Sequence, residues 1–249
     1  MIKIEDLSYR YKGTRQDALS NLTLQLEKNK ICGLLGKNGV GKSTLLYLIA
    51  GLLRPSKGSV KTLGFEARER NVEMLQDVFI LTEEFDLPKV TLKEFELDSV
   101  EEIHLSKLSM GQKKKVYMSF ALATNTRILL MDEPTNGLDI PSKAQFRKVI
   151  SRGMSEDRLI IVSTHQVHDV DQLLDHVVIL SNEGVLLNET VEQITDKYVF
   201  EYRTPDDMDD VIYAEPSIQG NAVMAPRGNK PETQLNLELL FDAVTSNKL

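Results

Sequence analysis

The sequence predicts an α/β fold built on a parallel sheet covered on both faces, and three observations carry that expectation. Short, unbroken apolar runs recur at residues 31–35, 128–131, 159–162 and 177–180. Helical stretches near 112–124 and 141–153 alternate with the runs at 128–131 and 159–162. The run at 31–35 ends in a glycine-rich turn, and a helix follows it. A strand with one wet face alternates apolar and polar residues. A strand covered on both faces reads as a continuous apolar run.

In chain order, residues 2–11 and 22–27 read as half-buried strands. Ile2 and Ile4 alternate with Lys3 and Glu5, and Leu22, Leu24 and Leu26 alternate with Thr23 and Gln25. The helix after the glycine-rich turn runs from about 42 to 53, with Leu45, Leu46, Ile49, Leu52 and Leu53 on its apolar face. Gly51 and Arg54-Pro55 end it. After about Tyr198 the texture changes. Pro205, Pro216, Pro226 and Pro231, with Gly220 and Gly228, interrupt short β-like pieces at 211–214 and 222–224, and 235–241 closes as a helix or a strand. The expected division is therefore residues 1–198 and a small C-terminal extension, 199–249.

The 249 residues suit one large domain with an appendage, at about 150 residues per domain. Lys and Arg number 30 against 37 Asp and Glu, so the net charge is 30 − 37 = −7. That balance argues against a nucleic-acid coat, which needs a basic surface. The single Cys32 excludes an internal disulfide and a cysteine-rich zinc site. No apolar run approaches the roughly 20 residues that span a bilayer, and the start lacks the apolar stretch of a secretory signal. The expectation is a soluble protein of a reducing compartment. Work at a membrane would need a membrane part supplied by another chain.

Two segments carry chemistry. Gly36, Lys37, Asn38, Gly39, Val40, Gly41, Lys42 and Ser43 fit G-x-x-x-x-G-K-[ST], followed by Thr44. Glycines let the backbone curl so that N–H groups converge on phosphate oxygens, and the helix N-terminus adds partial positive charge. Lys42 suits the β- and γ-phosphates, and the Ser43 hydroxyl suits Mg²⁺. Average composition gives such a match by chance somewhere in the chain on the order of 1% of the time, before the strand and helix context is required. The second segment is the run at 128–131, which ends in Asp132 and Glu133. Ligands of open α/β sheets bind at the carboxyl ends of strands. Asp132 there suits Mg²⁺ through water, and Glu133 suits polarisation of an attacking water.

A third segment, 105–115, is less direct. Ser109 suits an N-cap of a helix beginning near Met110. Lys113, Lys114 and Lys115 in its first turns oppose the helix dipole. The lysines alone suit a solvated basic face. Alternatively an anion docks at this helix start, facing Ser109 and the Gly111 N–H.

Together these segments resemble, in order and over about residues 1–198, the nucleotide-binding subunits of ATP-binding cassette (ABC) transporters. Residues 36–43 look like Walker A. Leu108-Ser109-Met110-Gly111-Gln112 looks like the ABC signature, Asp132-Glu133-Pro134-Thr135 like the end of Walker B, Gly137-Leu138-Asp139 like the D-loop and Ser163-Thr164-His165 like the H-loop. Tyr11 sits where the family has an aromatic that stacks on adenine. The resemblance implies an α/β fold with a P-loop NTPase parallel-sheet core, an antiparallel β subdomain, a shortened or incomplete helical subdomain and a small C-terminal extension.

It also implies ATP and Mg²⁺ as cofactors, and a second ABC subunit paired head to tail so that each ATP lies between one Walker A and the other signature. The anion at the start of the 110 helix is then the γ-phosphate of the opposite site, held by Ser109, Gly111 and Gln112. His165 would contact the γ-phosphate, Glu133 would order the water, and Asp139 would contact the opposite subunit. The motion would drive a permease on a separate chain, with this subunit on the cytoplasmic face of the membrane and no nucleic acid involved.

Three positions depart from the family pattern. Glu83 stands where the family has a glutamine that contacts metal and γ-phosphate. Met110 replaces a signature glycine. Only residues 84–107, 24 in all, separate Glu83 from Leu108, where the family carries a longer helical subdomain. The extension resembles, more weakly, that of cassettes paired with ABC-2-type permeases, which points to export. The alternatives are a non-transport ABC ATPase working on nucleic acid or ribosomes, and a regulatory ATP-binding module with little turnover.

Overall fold

The computed structural model describes residues 1–82 and 108–249. Glu83 and the expected junction in 84–107 lie outside the described residues. The central sheet has six strands: β3 (Lys30–Leu35), β6 (Val78–Leu81), β7 (Ile128–Asp132), β8 (Leu159–Thr164), β9 (His176–Ser181) and β10 (Gly184–Thr190). Their order is β10-β9-β3-β8-β7-β6; five run parallel, and β10 turns back antiparallel on β9. Successive side chains on a strand point to opposite faces, and the sequence divides accordingly. Cys32, Leu34, Ile128, Leu130, Ile161 and Val178 face one core. Ile31, Leu35, Leu129, Met131, Ile160, Val162 and Ile179 face the other. Continuous apolar strands follow directly from having both faces covered.

On the first face lies α1 (Lys42–Ile49), roofed by an antiparallel sheet of β1 (Ile2–Tyr9), β2 (Leu19–Leu26), β4 (Lys57–Thr62) and β5 (Phe65–Glu66). Leu45, Leu46, Leu48 and Ile49 fill the space between the two sheets. Boundaries on this face differ from the sequence expectation, and β1 ends at Tyr9 rather than at residue 11. β2 starts at Leu19, paired with Tyr9, and the β1–β2 register shifts between Ile4 and Leu7 and again between Leu7 and Tyr9. Asp6 and Asn21, both at φ 48°, absorb the irregularity, and Asp and Asn tolerate the left-handed region best among residues with a side chain. The helix α1 stops at Ile49, so Leu53 is half-buried and Leu52 is exposed rather than on its apolar face. At Gly51, φ is 69° and a Cβ would sit 2.2 Å from the Ala67 carbonyl oxygen, which ends the helix there.

A short helix, α2 (Val72–Gln76), precedes β6. The other face is covered by α3 (Met110–Ala123), α4 (Ile140–Arg152) and, at the chain's end, α6 (Leu237–Thr245). Between β10 and α6 come α5 (Val191–Lys197) and a three-stranded antiparallel sheet of β11 (Tyr198–Arg203), β12 (Tyr213–Ser217) and β13 (Gly220–Pro226). The segment at 235–241 resolves as helix: Asn236 caps it through the Leu239 N–H, and Leu237, Leu239, Leu240, Ala243 and Val244 are buried. Arg203, buried in this sheet, is held by Glu201 and Asp210. No helix among the described residues is long and apolar enough to cross a membrane.

Candidate active site

The parallel register brings the carboxyl ends of β3, β7 and β8 side by side, with Leu35 opposite Thr164 and Asp132 opposite Ser163. The chemistry-bearing residues leave the sheet at this edge. After β3, residues 36–41 wrap the start of α1. Gly41 is the N-cap at φ 99°, and a Cβ there would meet the Ala18 carbonyl oxygen at 2.7 Å, so only glycine fits. Gly41 brings no side chain to cap α1, and α1 has no acidic residue in its first turn. The other five α-helices among the described residues all start with a side-chain cap: Asn71, Ser109, Asp139, Thr190 and Asn236. Among the described α-helices only α1 starts without a side-chain cap, which leaves its first N–H groups to an outside acceptor, and Ser43 and Thr44 lie in that first turn.

Lys42 is buried at this helix start. Its Nζ donates to the carbonyls of Gly36 (2.8 Å) and Lys37 (3.3 Å), and lies 3.5 Å from Glu133 Oε1. Glu133 follows directly on β7 in the left-handed region at φ 47°. A non-glycine residue there stores about 1–3 kcal/mol and needs surrounding structure to hold it. Its N–H donates to the Ser163 carbonyl (3.1 Å) and Oγ (3.2 Å). The twist turns its carboxylate to His165 Nδ1 at 2.9 Å. Glu133 Oε2 is buried without a partner among the described residues. Such an atom is costly unless another group completes it.

Asp132, also buried, accepts at Oδ1 from Ser163 Oγ at 2.5 Å. Ser163 therefore fixes both carboxylate residues, and sequence reading gave it no role. The signal was present in the pairing of two parallel strands, which places residue 163 beside residue 132.

Tyr11 is 40% exposed; its ring meets Tyr9 edge-on, and its hydroxyl lies 3.0 Å from Thr44 Oγ1, so it stands beside the phosphate loop. Ser109 caps α3 as expected, in a reciprocal box: its Oγ accepts from the Gln112 N–H (3.2 Å), and its own N–H donates to Gln112 Oε1 (3.0 Å). Met110 is the first residue of α3, a position of ordinary negative φ, so replacing glycine there requires no left-handed backbone. The solvated-face reading of the lysines needs correction at Lys114, which is half-buried and donates to the carbonyls of Glu133 and Asn136. The sequence did not show this because the acceptors belong to a turn 19 and 22 residues further along. Asp139 caps α4 through the Ser142 N–H (2.9 Å), and its hydrogen bonds from Ser142, aided by the charge of Lys115, hold its carboxyl below the usual range.

Of the remaining histidines, His104 lies outside the described residues, and the other two pair with neighbouring side chains. His176 is buried against Asn188, and burial pushes its pKa down. His168 pairs with Glu238 at the surface. Cys32 is a core residue, and its full burial pushes the thiol up to about 12.

The arrangement offers open helix N–H groups, a buried lysine, a strand-end carboxylate and a carboxylate–histidine pair, all at one sheet edge. The family model described as ABC transporter matches residues 19–136. The chain is 33% identical over 217 residues to a putative ABC transporter ATP-binding protein of Listeria monocytogenes serotype 4b (strain F2365), covering 75% of this chain and 81% of that one. It is 29% identical to the ABC transporter ATP-binding protein NatA of Bacillus subtilis (strain 168), covering 78% and 91%. Among solved structures, it shares its fold with the dimeric post-hydrolysis state of the ATP-binding cassette MJ0796 bound to ADP and Pi. There the TM-score is 0.63 at 21% identity, over 76% of this chain and 98% of that one.

Proposed function

Because this chain belongs to the ATP-binding proteins of ABC transporters, a family of ATPases, we propose that two cassettes pair head to tail and couple ATP hydrolysis to a separate permease. The observation that carries the site assignment is the uncapped start of α1 with Lys42 buried beside it. Residues 36–44 hold the phosphates, and Tyr11 lies against the adenine. The Ser43 hydroxyl and the Asp132 carboxylate are hard oxygen donors, which fit Mg²⁺, with Glu83 the third residue assigned to it. The ion would neutralise phosphate charge.

Glu133 polarises the attacking water. Its carboxylate begins engaged with His165 and near Lys42. A triphosphate that recruits Lys42 and His165 leaves Glu133 free to accept a proton. Ser109, Gly111 and Gln112 meet the γ-phosphate of the opposite site, and Asp139 meets the opposite subunit. Residues 1–198 form the cassette proper, and 199–249 the extension. The weaker resemblance of that extension favours export, with the subunit held on the cytoplasmic face of the membrane by its permease.

Glu133→Gln tests the assignment. The variant binds ATP within about twofold of the parent, while turnover falls by at least about 100-fold, the lower bound for a positioned general base. Parent-like turnover removes Glu133 from the role. The membrane partner is tested by purifying the tagged chain from solubilised native membranes. A polytopic protein recovered in stoichiometric amount supports transport, and recovery of soluble or nucleic-acid-bound partners alone overturns it.

A further inference from the structure

Lys114 joins two parts of the site that the chain keeps apart. It sits in the second turn of α3, close behind the Ser109–Gln112 box, and its ammonium donates to the carbonyls of Glu133 (3.3 Å) and Asn136. A lysine ammonium is a compact charge with three donors and no acceptor, so it suits two converging carbonyls. Glu133 is gripped from both sides. On its N–H side stands Ser163 of β8, and on its carbonyl side Lys114 of α3. The same turn continues through the Leu138 N–H to Thr135 carbonyl bond (3.1 Å) into Asp139, whose carboxylate feels the charge of Lys115. The start of α3 and residues 133–139 therefore form one polar unit, and its strained member carries the carboxylate assigned to water.

We propose that Lys114 is a positioning residue that couples the two nucleotide sites of the paired cassette. This rests on the head-to-tail reading above, in which the start of α3 meets the nucleotide of the opposite site and Glu133 serves the nucleotide of its own. A shift of α3 on engaging the opposite γ-phosphate moves the Lys114 ammonium. Through the two carbonyls it sets the turn that aims Glu133. One site is then fully competent only when the other is filled.

The test uses Lys114→Met, Lys114→Arg and Ser109→Asp in the full chain. The measurements are ATP affinity, the ATP dependence of turnover and the melting temperature. Lys114→Met should bind ATP within about twofold of the parent and melt close to it. Its turnover should fall roughly tenfold (about 1.4 kcal/mol), and its Hill coefficient should drop towards one. Lys114→Arg, which keeps the cation, should recover most of both. If Lys114→Met does not fold, Lys114→Gln carries the same comparison. Parent-like turnover and Hill coefficient in Lys114→Met overturn the coupling. So does an Arg variant as impaired as the Met variant, with affinity and melting temperature falling in step. Ser109→Asp retains a good cap but sets a negative charge against the opposite phosphate. Parent-like turnover in that variant overturns the head-to-tail reading itself, and the coupling with it. Loss in Ser109→Asp beside parent-like Lys114→Met overturns the coupling alone.

Discussion

The starts of α1 and α3 are both assigned to phosphate, yet they are built in opposite ways. At α1 the capping position is a glycine, the first N–H groups have no side-chain acceptor, and a buried lysine stands beside them. At α3 Ser109 and Gln112 satisfy each other's backbone donors in a closed box, and Ser109 is exposed. An open helix start is a standing anion site. A closed one must give up hydrogen bonds it already has before it gains new ones. The difference teaches an order of events. On the proposed head-to-tail pairing, the phosphate loop would hold nucleotide within one chain, and the α3 start would contribute only when a second chain presents a phosphate worth the exchange.

The contrast breaks most sharply at Lys42. Lys42→Met should weaken ATP binding by roughly a thousandfold, since truncating one partner of a desolvated charge pair costs about 2–5 kcal/mol. Calorimetric titration checks this, and a loss under tenfold would mean that α1 binds through its backbone alone. A smaller effect is expected at the other helix. Ser109→Ala should destabilise the chain by about 1 kcal/mol, the usual cost of a lost cap, and leave single-chain ATP affinity unchanged; denaturant melts and the same titration separate the two.

Smaller still is the contribution of α4, whose cap can titrate. Asp139 has its pKa lowered in the folded chain by Ser142 and Lys115. Its stabilisation is therefore fully present above the ordinary carboxylate value of about 3.9 and is lost as pH falls through the lowered one. Asp139→Asn keeps a cap but loses the titration, so its acid melt should show a slightly shallower dependence on pH in that window.

Legibility followed the range of the interactions. The phosphate loop was readable because its chemistry is local: glycines, a lysine and a hydroxyl within eight positions act through their own backbone. The two-faced strands were readable because each carries its burial in its own composition. The bulges at Asp6 and Asn21 hid from the alternation rule, since a shift in register moves apolar residues out of phase. In the extension, strands expected at 211–214 and 222–224 form at Tyr213–Ser217 and Gly220–Pro226. Their limits are set by pairing across the turn, which no single strand encodes. Ser163 and Lys114 were missed because their partners come from other strands and turns. His165 was singled out only through the family resemblance, which did not include its pairing with Glu133.

The last helix has a practical consequence. Leu237, Leu239, Leu240, Ala243 and Val244 of α6 belong to the same apolar cluster as Val167, Val177 and Ile179. Thr245 and Asn247 stand with Lys37 and Val40 around one cavity behind the phosphate loop. The change of texture at residue 198 is thus a seam in composition, while the interior runs across it. A chain shortened at that seam would keep every residue assigned to ATP, yet lose one side of the cavity beside the phosphate loop and bare an oily flank. Anyone trimming the gene to a minimal cassette should cut elsewhere.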